Sequence, residues 1–149
     1  MMKLKSLFLC DSANVRDNLL SALAGGLTRM GHENYPNNLE AELAIMFEIV
    51  DEPIQGHEVY VECSPMNEPG NIIFRFGGPI MPAQEKAEAV DLLTFPLVLD
   101  LSSVGLPAPG LYEVRVELDG QMVGDVHFVA EVVPSMYQSD VAKVNSTHG

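Results

Sequence analysis

Asp11, Asn14 and Arg16 crowd into the run Cys10-Asp-Ser-Ala-Asn-Val-Arg-Asp17, and Thr28 and Arg29 follow a Gly25-Gly26 pair close behind. Short carboxylate, amide and guanidinium groups at this spacing can bond one another and the backbone around them. A stabilised turn is the expected role of this cluster, with a ligand site as the competing one. The four histidines, His32, His57, His127 and His148, share no metal-ligand spacing with one another or with Cys10 and Cys63. No metal site is therefore expected. Asp51-Glu52 and Asp100 are acids at strand ends, not the converging oxygen donors of a calcium loop. G-x-S-x-G does not occur, and neither Gly25-Gly26 nor Gly77-Gly78 has the spacing of a phosphate loop. The sequence thus predicts no catalytic residue and no cofactor.

The elements that must hold these residues read mostly as strands. Tyr112, Val114, Val116 and Leu118 alternate with Glu113, Arg115, Glu117 and Asp119, the period of a half-buried strand. Beyond Gly120 the pattern resumes through Met122, Val126, Phe128, Ala130 and Val132, leaving Asp125, His127 and Glu131 on the polar face. Face parity favours a three-residue turn over Leu118-Asp119-Gly120 with a G1 bulge, pairing Val116 with Met122 and Tyr112 with Val126. Leu93 to Leu101 alternates too, and Pro96 makes it an edge or bulged strand. Val59, Val61 and Cys63 mark another strand, and Phe74 and Phe76 a further one, ended by Gly77-Gly78-Pro79.

Two segments are ambiguous. Leu39 to Val50 fits a strand with Leu39, Ala41, Leu43, Ile45, Phe47 and Ile49 inward, but also a helix capped by Asn38. The strand is preferred because its C-terminal neighbours read as strands. Asn14 to Leu23 has good helix formers and a Gly25-Gly26 stop, yet also fits a turn and a strand. One helical turn is expected within Gln84 to Ala89. The fold class predicted is all-β, a two-sheet antiparallel β-sandwich, immunoglobulin-like or C2-like, with one or two short helical segments. It spans residues 1–133 as one domain, and residues 134–149 form a loosely ordered tail.

Eight basic residues against 21 acidic ones give a net charge of −13. That charge repels phosphate backbones and anionic membranes, and the scattered Lys and Arg build no patch against it. Neither nucleic acid nor membrane is expected as a partner. The apolar run from Leu7 to Cys10 is cut by Asp11, too short for a secretion signal, and no stretch reaches a membrane span. The expected compartment is the cytoplasm, with both cysteines reduced and packed as small hydrophobes. A disulfide stays open if the compartment oxidises.

Leu9-Cys-Asp-Ser-Ala-Asn-Val-Arg16, Leu23-Ala-Gly-Gly-Leu-Thr-Arg29, Leu106-Pro-Ala-Pro-Gly-Leu-Tyr112 and Asp119-Gly120 together resemble an uncharacterised bacterial family of small β-sandwich proteins. The resemblance covers roughly residues 4 to 130. It implies a sandwich in which Leu19 to Met30 is extended, against a partial helix there, and it brings no activity and no catalytic residue. The function expected is non-catalytic, a protein-protein interaction or structural domain, with self-association as one form of it. Its patch would be the outward apolar residues Ala44, Met46, Val50, Ile73, Leu92 and Val98. The alternative is a module binding a small ligand or carbohydrate at the loop end of the sandwich, for which Tyr35, Tyr60 and Tyr137 are the candidate rings.

Overall fold

A computed structural model of the chain describes residues 1–53, 55–81 and 89–134, and its regular elements there are all strands. In chain order they are β1 (Met2–Cys10), β2 (Ser12–Arg16), β3 (Leu19–Leu23), β4 (Arg29–His32), β5 (Asn37–Asn38) and β6 (Glu42–Pro53). There follow β7 (His57–Pro65), β8 (Phe74–Ile80), β9 (Ala89–Asp100), β10 (Gly105–Leu106), β11 (Gly110–Leu118) and β12 (Gln121–Val132). They form a three-stranded sheet, β1-β6-β9, and a five-stranded sheet, β4-β12-β11-β7-β8, with two-stranded pieces β2-β3 and β10-β5. No helix among the described residues is long and apolar enough to cross a membrane.

Alternation builds the core. Leu43, Ile45, Phe47 and Ile49 of β6, with Leu39 and Ala41 just before it, are all at most 1% exposed. They settle the ambiguous segment as a strand. Their cluster is continuous with Val59, Val61 and Cys63 of β7, Tyr112, Val114 and Val116 of β11, and Phe128 and Ala130 of β12. Each large aliphatic or aromatic side chain removed from water in this way contributes about 1.5–3 kcal/mol. Along one side β1 runs close to β12, so that a β-carbon at Gly124 would overlap the Leu4 side chain.

Several expectations need correction. Asn14 to Leu23 is not helical but a hairpin of β2 and β3, because Asp17 and Asn18 take positive φ (53° and 59°) and turn the chain back between Arg16 and Leu19. Asp and Asn tolerate that conformation better than other side chains. Leu19 to Met30 is accordingly extended in β3 and at the start of β4. The five-stranded sheet is mixed rather than antiparallel, since β4 pairs with β12 in parallel.

The hairpin of β11 and β12 departs from its expected register. Asp119 and Gly120 both have positive φ (50° and 84°), and Leu118 pairs with Gln121 across a two-residue turn. Parity is restored by a bulge between Val116 and Glu117, after which Val116 faces Gly124 and Tyr112 faces Phe128. The extra residue sits in the strand, not in the turn. Gly77-Gly78-Pro79 does not end β8 either, because pairing continues until Ile80 meets His57.

Pro96 lies on β9, an edge strand as expected. The outward patch, in contrast, is partly covered. Ala44 is fully buried, and Pro96 with it, because the β2-β3 hairpin packs over that face of β6 and β9, with Thr94 Oγ1 donating to Asn18 O at 3.5 Å. Leu92 stays exposed. The helical turn within Gln84 to Ala89 falls outside the described residues apart from Ala89, which begins β9. The tail from residue 135 lies outside them as well.

Candidate functional site

The cluster expected from sequence is spread along one side of the fold. Asn14 and Arg16 are exposed on β2, opposite Ser21 and Leu19, and Asp11 is exposed where its backbone N–H donates to Leu23 O. No side-chain hydrogen bond or ion pair joins Asp11, Asn14 and Arg16 among the described residues. Arg29 instead pairs with Glu131 across β4 and β12, while the Thr28 carbonyl accepts from Val129 N–H. Thr28 also borders a shallow hollow of about 350 Å³ between β1 and β12, shared with Leu7, Leu27 and His127.

A further opening, lined by apolar side chains, lies at the ends of the two larger sheets. There β8 ends the five-stranded sheet and β9 ends the three-stranded one. Between these two edges is a cleft of about 340 Å³ lined by Ile45, Val59, Val61, Phe76, Leu97 and Leu99, with the backbone of Gly77 to Ile80 as its rim. Phe76 is 45% exposed at the cleft although its neighbour Phe74, stacked on it at 5.1 Å between ring centroids, is buried. The cleft is within the size range of small-molecule sites, but its lining side chains are all carbon. It can hold apolar groups and has no side chain with which to perform chemistry on them.

A second opening of about 460 Å³ sits at the loop end, between Pro65 to Asn71 and Pro107 to Tyr112. Asn67, Glu68 and Asn71 give it polar walls. The Tyr112 ring beside it is buried, and its hydroxyl donates to Ala108 O at 2.6 Å. Tyr35 donates to Glu131 O at 2.8 Å and Tyr60 lies under the Arg75 guanidinium, 4.4 Å from ring centroid to Cζ, so neither ring belongs to this hollow. Tyr137 lies outside the described residues.

Charged side chains assemble in two places. On the outer face of the five-stranded sheet, Glu62 accepts from Arg115 at 2.7 Å and from Arg75 at 2.9 Å. The hydrogen bond from Arg115 holds the Glu62 carboxyl below the usual range. Arg115 also stands 3.5 Å from Glu113, and His127 Nε2 lies 3.7 Å from Glu113 and 3.8 Å from Asp125. Alternation puts Glu113 with Arg115 and Asp125 with His127 on one face, and register joins the strands, with Glu113 opposite His127 and Arg115 opposite both Asp125 and Glu62.

The other place is the end of the sheets, where His57 is enclosed by two carboxylates. Its Nδ1 is 2.6 Å from Asp119 Oδ2 and its Nε2 is 3.4 Å from Glu52 Oε2. Asp119 accepts a further hydrogen bond from Glu58 N–H at 2.8 Å, and the hydrogen bond with His57 keeps its carboxyl below the ordinary value. Burial pushes Glu52 up, but hydrogen bonds from the N-terminal ammonium and Gln55 outweigh it and leave it lowered. This arrangement clamps the end of β6, the start of β7 and the β11-β12 turn together. The thiols are withdrawn from solvent. Cys63 and Cys10 are both free and buried, and burial pushes Cys63 up to about 12 and raises Cys10.

A family model described as a family of unknown function (DUF6941) matches residues 5–131. No curated protein matches the chain. Among solved structures, the chain is similar to a Pseudomonas fluorescens alkylpurine DNA glycosylase bound to DNA containing an abasic site analog, at 12% identity and a TM-score of 0.46. That likeness covers 87% of this chain and 30% of the glycosylase chain.

Proposed function

We propose, for a chain that belongs to the family of unknown function (DUF6941) and inherits no activity from it, a non-catalytic domain that binds an extended segment of a partner protein. In this reading the two larger sheets face each other as a β-sandwich, and the partner enters where the sandwich is open. The observation that carries the proposal is the apolar cleft between β8 and β9, which end their sheets among the described residues, with Phe76 half exposed at it. An unpaired edge offers backbone donors and acceptors to an incoming strand, and an apolar cleft beside it takes alternate side chains. The net charge of −13 selects a segment flanked by Lys or Arg, and works against both a second copy of this chain and a phosphate backbone. We read the compartment as cytoplasmic, where buried free thiols persist reduced.

The test is a titration of the chain, followed by amide NMR, with synthetic peptides that alternate Val or Ile with polar residues between lysines. Shifts confined to β8 and β9, and weakened about tenfold by Phe76→Ser, are expected; a tenfold loss corresponds to about 1.4 kcal/mol. Shifts scattered over other strands, or binding indifferent to that substitution, would sink the reading.

A second reading rests on the polar hollow at the loop end, where a small polar ligand would meet Asn67, Glu68 and Asn71. It predicts thermal stabilisation by some members of a metabolite panel, abolished by Asn71→Ala. A panel without one stabilising compound would leave it unsupported.

A further inference from the structure

The geometry points to a divalent transition-metal site made by Glu113, Asp125 and His127 on the outer face of the five-stranded sheet. Glu113 of β11 pairs directly with His127 of β12, and Asp125 stands two residues earlier on the same face. One ligand atom from each lies within 4.8 Å of the others, with His127 Nε2 3.7 Å from Glu113 Oε2 and 3.8 Å from Asp125 Oδ2. Donors around a tetrahedral ion with bonds of about 2.1 Å stand about 3.4 Å apart. Small side-chain rotations on two paired strands are therefore enough to close the site.

The surroundings orient the donors. Glu113 turns its other oxygen, Oε1, to Arg115 Nη1 at 3.5 Å, and Arg115 is held in turn by Glu62 at 2.7 Å. Outer hydrogen bonds of this kind fix a ligating carboxylate in place. Arg115 also adds a positive charge, but the ladder Glu62, Glu113, Glu117 and Asp125 sets four carboxylates against the guanidiniums of Arg75 and Arg115.

An independent observation lies on the other flank of Glu113. Ser64 of β7 pairs with Glu113 in the same cross-strand row, and alternation with the core residue Cys63 turns it to the same face. It is fully buried, and its Oγ has no hydrogen-bond partner among the described residues. A buried hydroxyl without a partner is costly, and it leaves the row that Ser64 shares with Glu113 short of a polar partner.

One imidazole and two carboxylates suit Zn²⁺, Co²⁺ or Ni²⁺, whereas Ca²⁺ needs more oxygens than are gathered here. His127 and Asp125 are about half exposed, so the remaining positions of the ion face solvent.

Calorimetric titration of the full chain with ZnCl₂ and CoCl₂ tests the assignment. One saturable site per chain is expected, weakened about tenfold or more in His127→Gln and in the double variant Glu113→Gln with Asp125→Asn, and retained in His32→Gln. Melting curves in chelator establish that each variant is folded. A parent chain without saturable heat at millimolar metal overturns the proposal. So does binding that survives His127→Gln, or saturation by CaCl₂ and not by ZnCl₂.

Discussion

Gly77 lies so close to Val59 that a β-carbon at position 77 would overlap the Val59 carbonyl oxygen and stand 2.7 Å from Tyr60 Cα. This approach lets β8 continue past Gly77 along β7 and forms one wall of the apolar cleft. Gly77→Ala must push β8 away from β7. The expected loss is about 2–3 kcal/mol, in the range of overpacking substitutions. Gly70→Ala, where a β-carbon meets nothing within 4 Å, should change stability little. Denaturant melts of the two variants decide the matter, and equal midpoints would refute the close approach.

The His57 clamp makes stability depend on pH from the acid side. Asp119 has its carboxyl lowered in the folded chain, first by the hydrogen bond with His57. A depressed carboxyl contributes stability above its unfolded value, near 3.9, and loses it as pH falls through the folded value. Asp119→Asn keeps a residue suited to positive φ before Gly120 while removing the charge. Because the Asp119 side chain is half exposed, the neutral-pH loss should be modest, about 0.5–1 kcal/mol. The difference between variant and parent should shrink below pH about 4. A difference that stays constant from neutral pH to pH about 3 would contradict the linkage.

Much of this fold is legible in the sequence because alternation is a strong signal. Leu43 to Ile49, Val59 to Cys63 and Tyr112 to Leu118 bury the faces that their patterns indicate. Asn14 to Leu23 was not legible, since its residues suit a helix and the deciding fact is a positive φ at Asp17 and Asn18. The β11-β12 register illustrates a subtler limit. Parity requires one extra residue but does not say whether the turn or the strand holds it. The sites were less legible still. Glu113 and His127 are 14 positions apart, and Ser64 is farther away, so only strand pairing brings them into one row. Asp125 and His127 at alternate positions, opposite an acid, were the available signal. The expected cluster of Asp11, Asn14 and Arg16 failed to converge because β2 extends and separates its side chains.

Both cysteines should be inert in the folded chain. The thiolate is the reactive form, and burial raises Cys10 and puts Cys63 at about 12. Native protein should react with a thiol reagent at pH 8 at least roughly a hundredfold more slowly than protein in guanidinium, with two thiols titrated after unfolding. Prompt modification of either in the native state would show that its strand opens readily.

The Tyr112 hydroxyl, which donates to Ala108 O at 2.6 Å, fastens the Pro107 to Gly110 turn to the start of β11, a corner of the kind found in β-sandwiches. Tyr112→Phe leaves the buried ring in place, stacked on Phe128 at 5.2 Å, and removes only this bond. The expected cost at neutral pH is about 1 kcal/mol, with the Ala108 carbonyl free to turn toward solvent. Alkaline conditions should narrow the gap. Burial raises the Tyr112 phenol in the folded chain, so its contribution is complete below the unfolded value, near 10, and is lost as pH rises through the folded value. The phenylalanine variant has no such loss at position 112. Its stability should therefore converge on that of the parent above pH about 10, and a gap that widens there would overturn the argument.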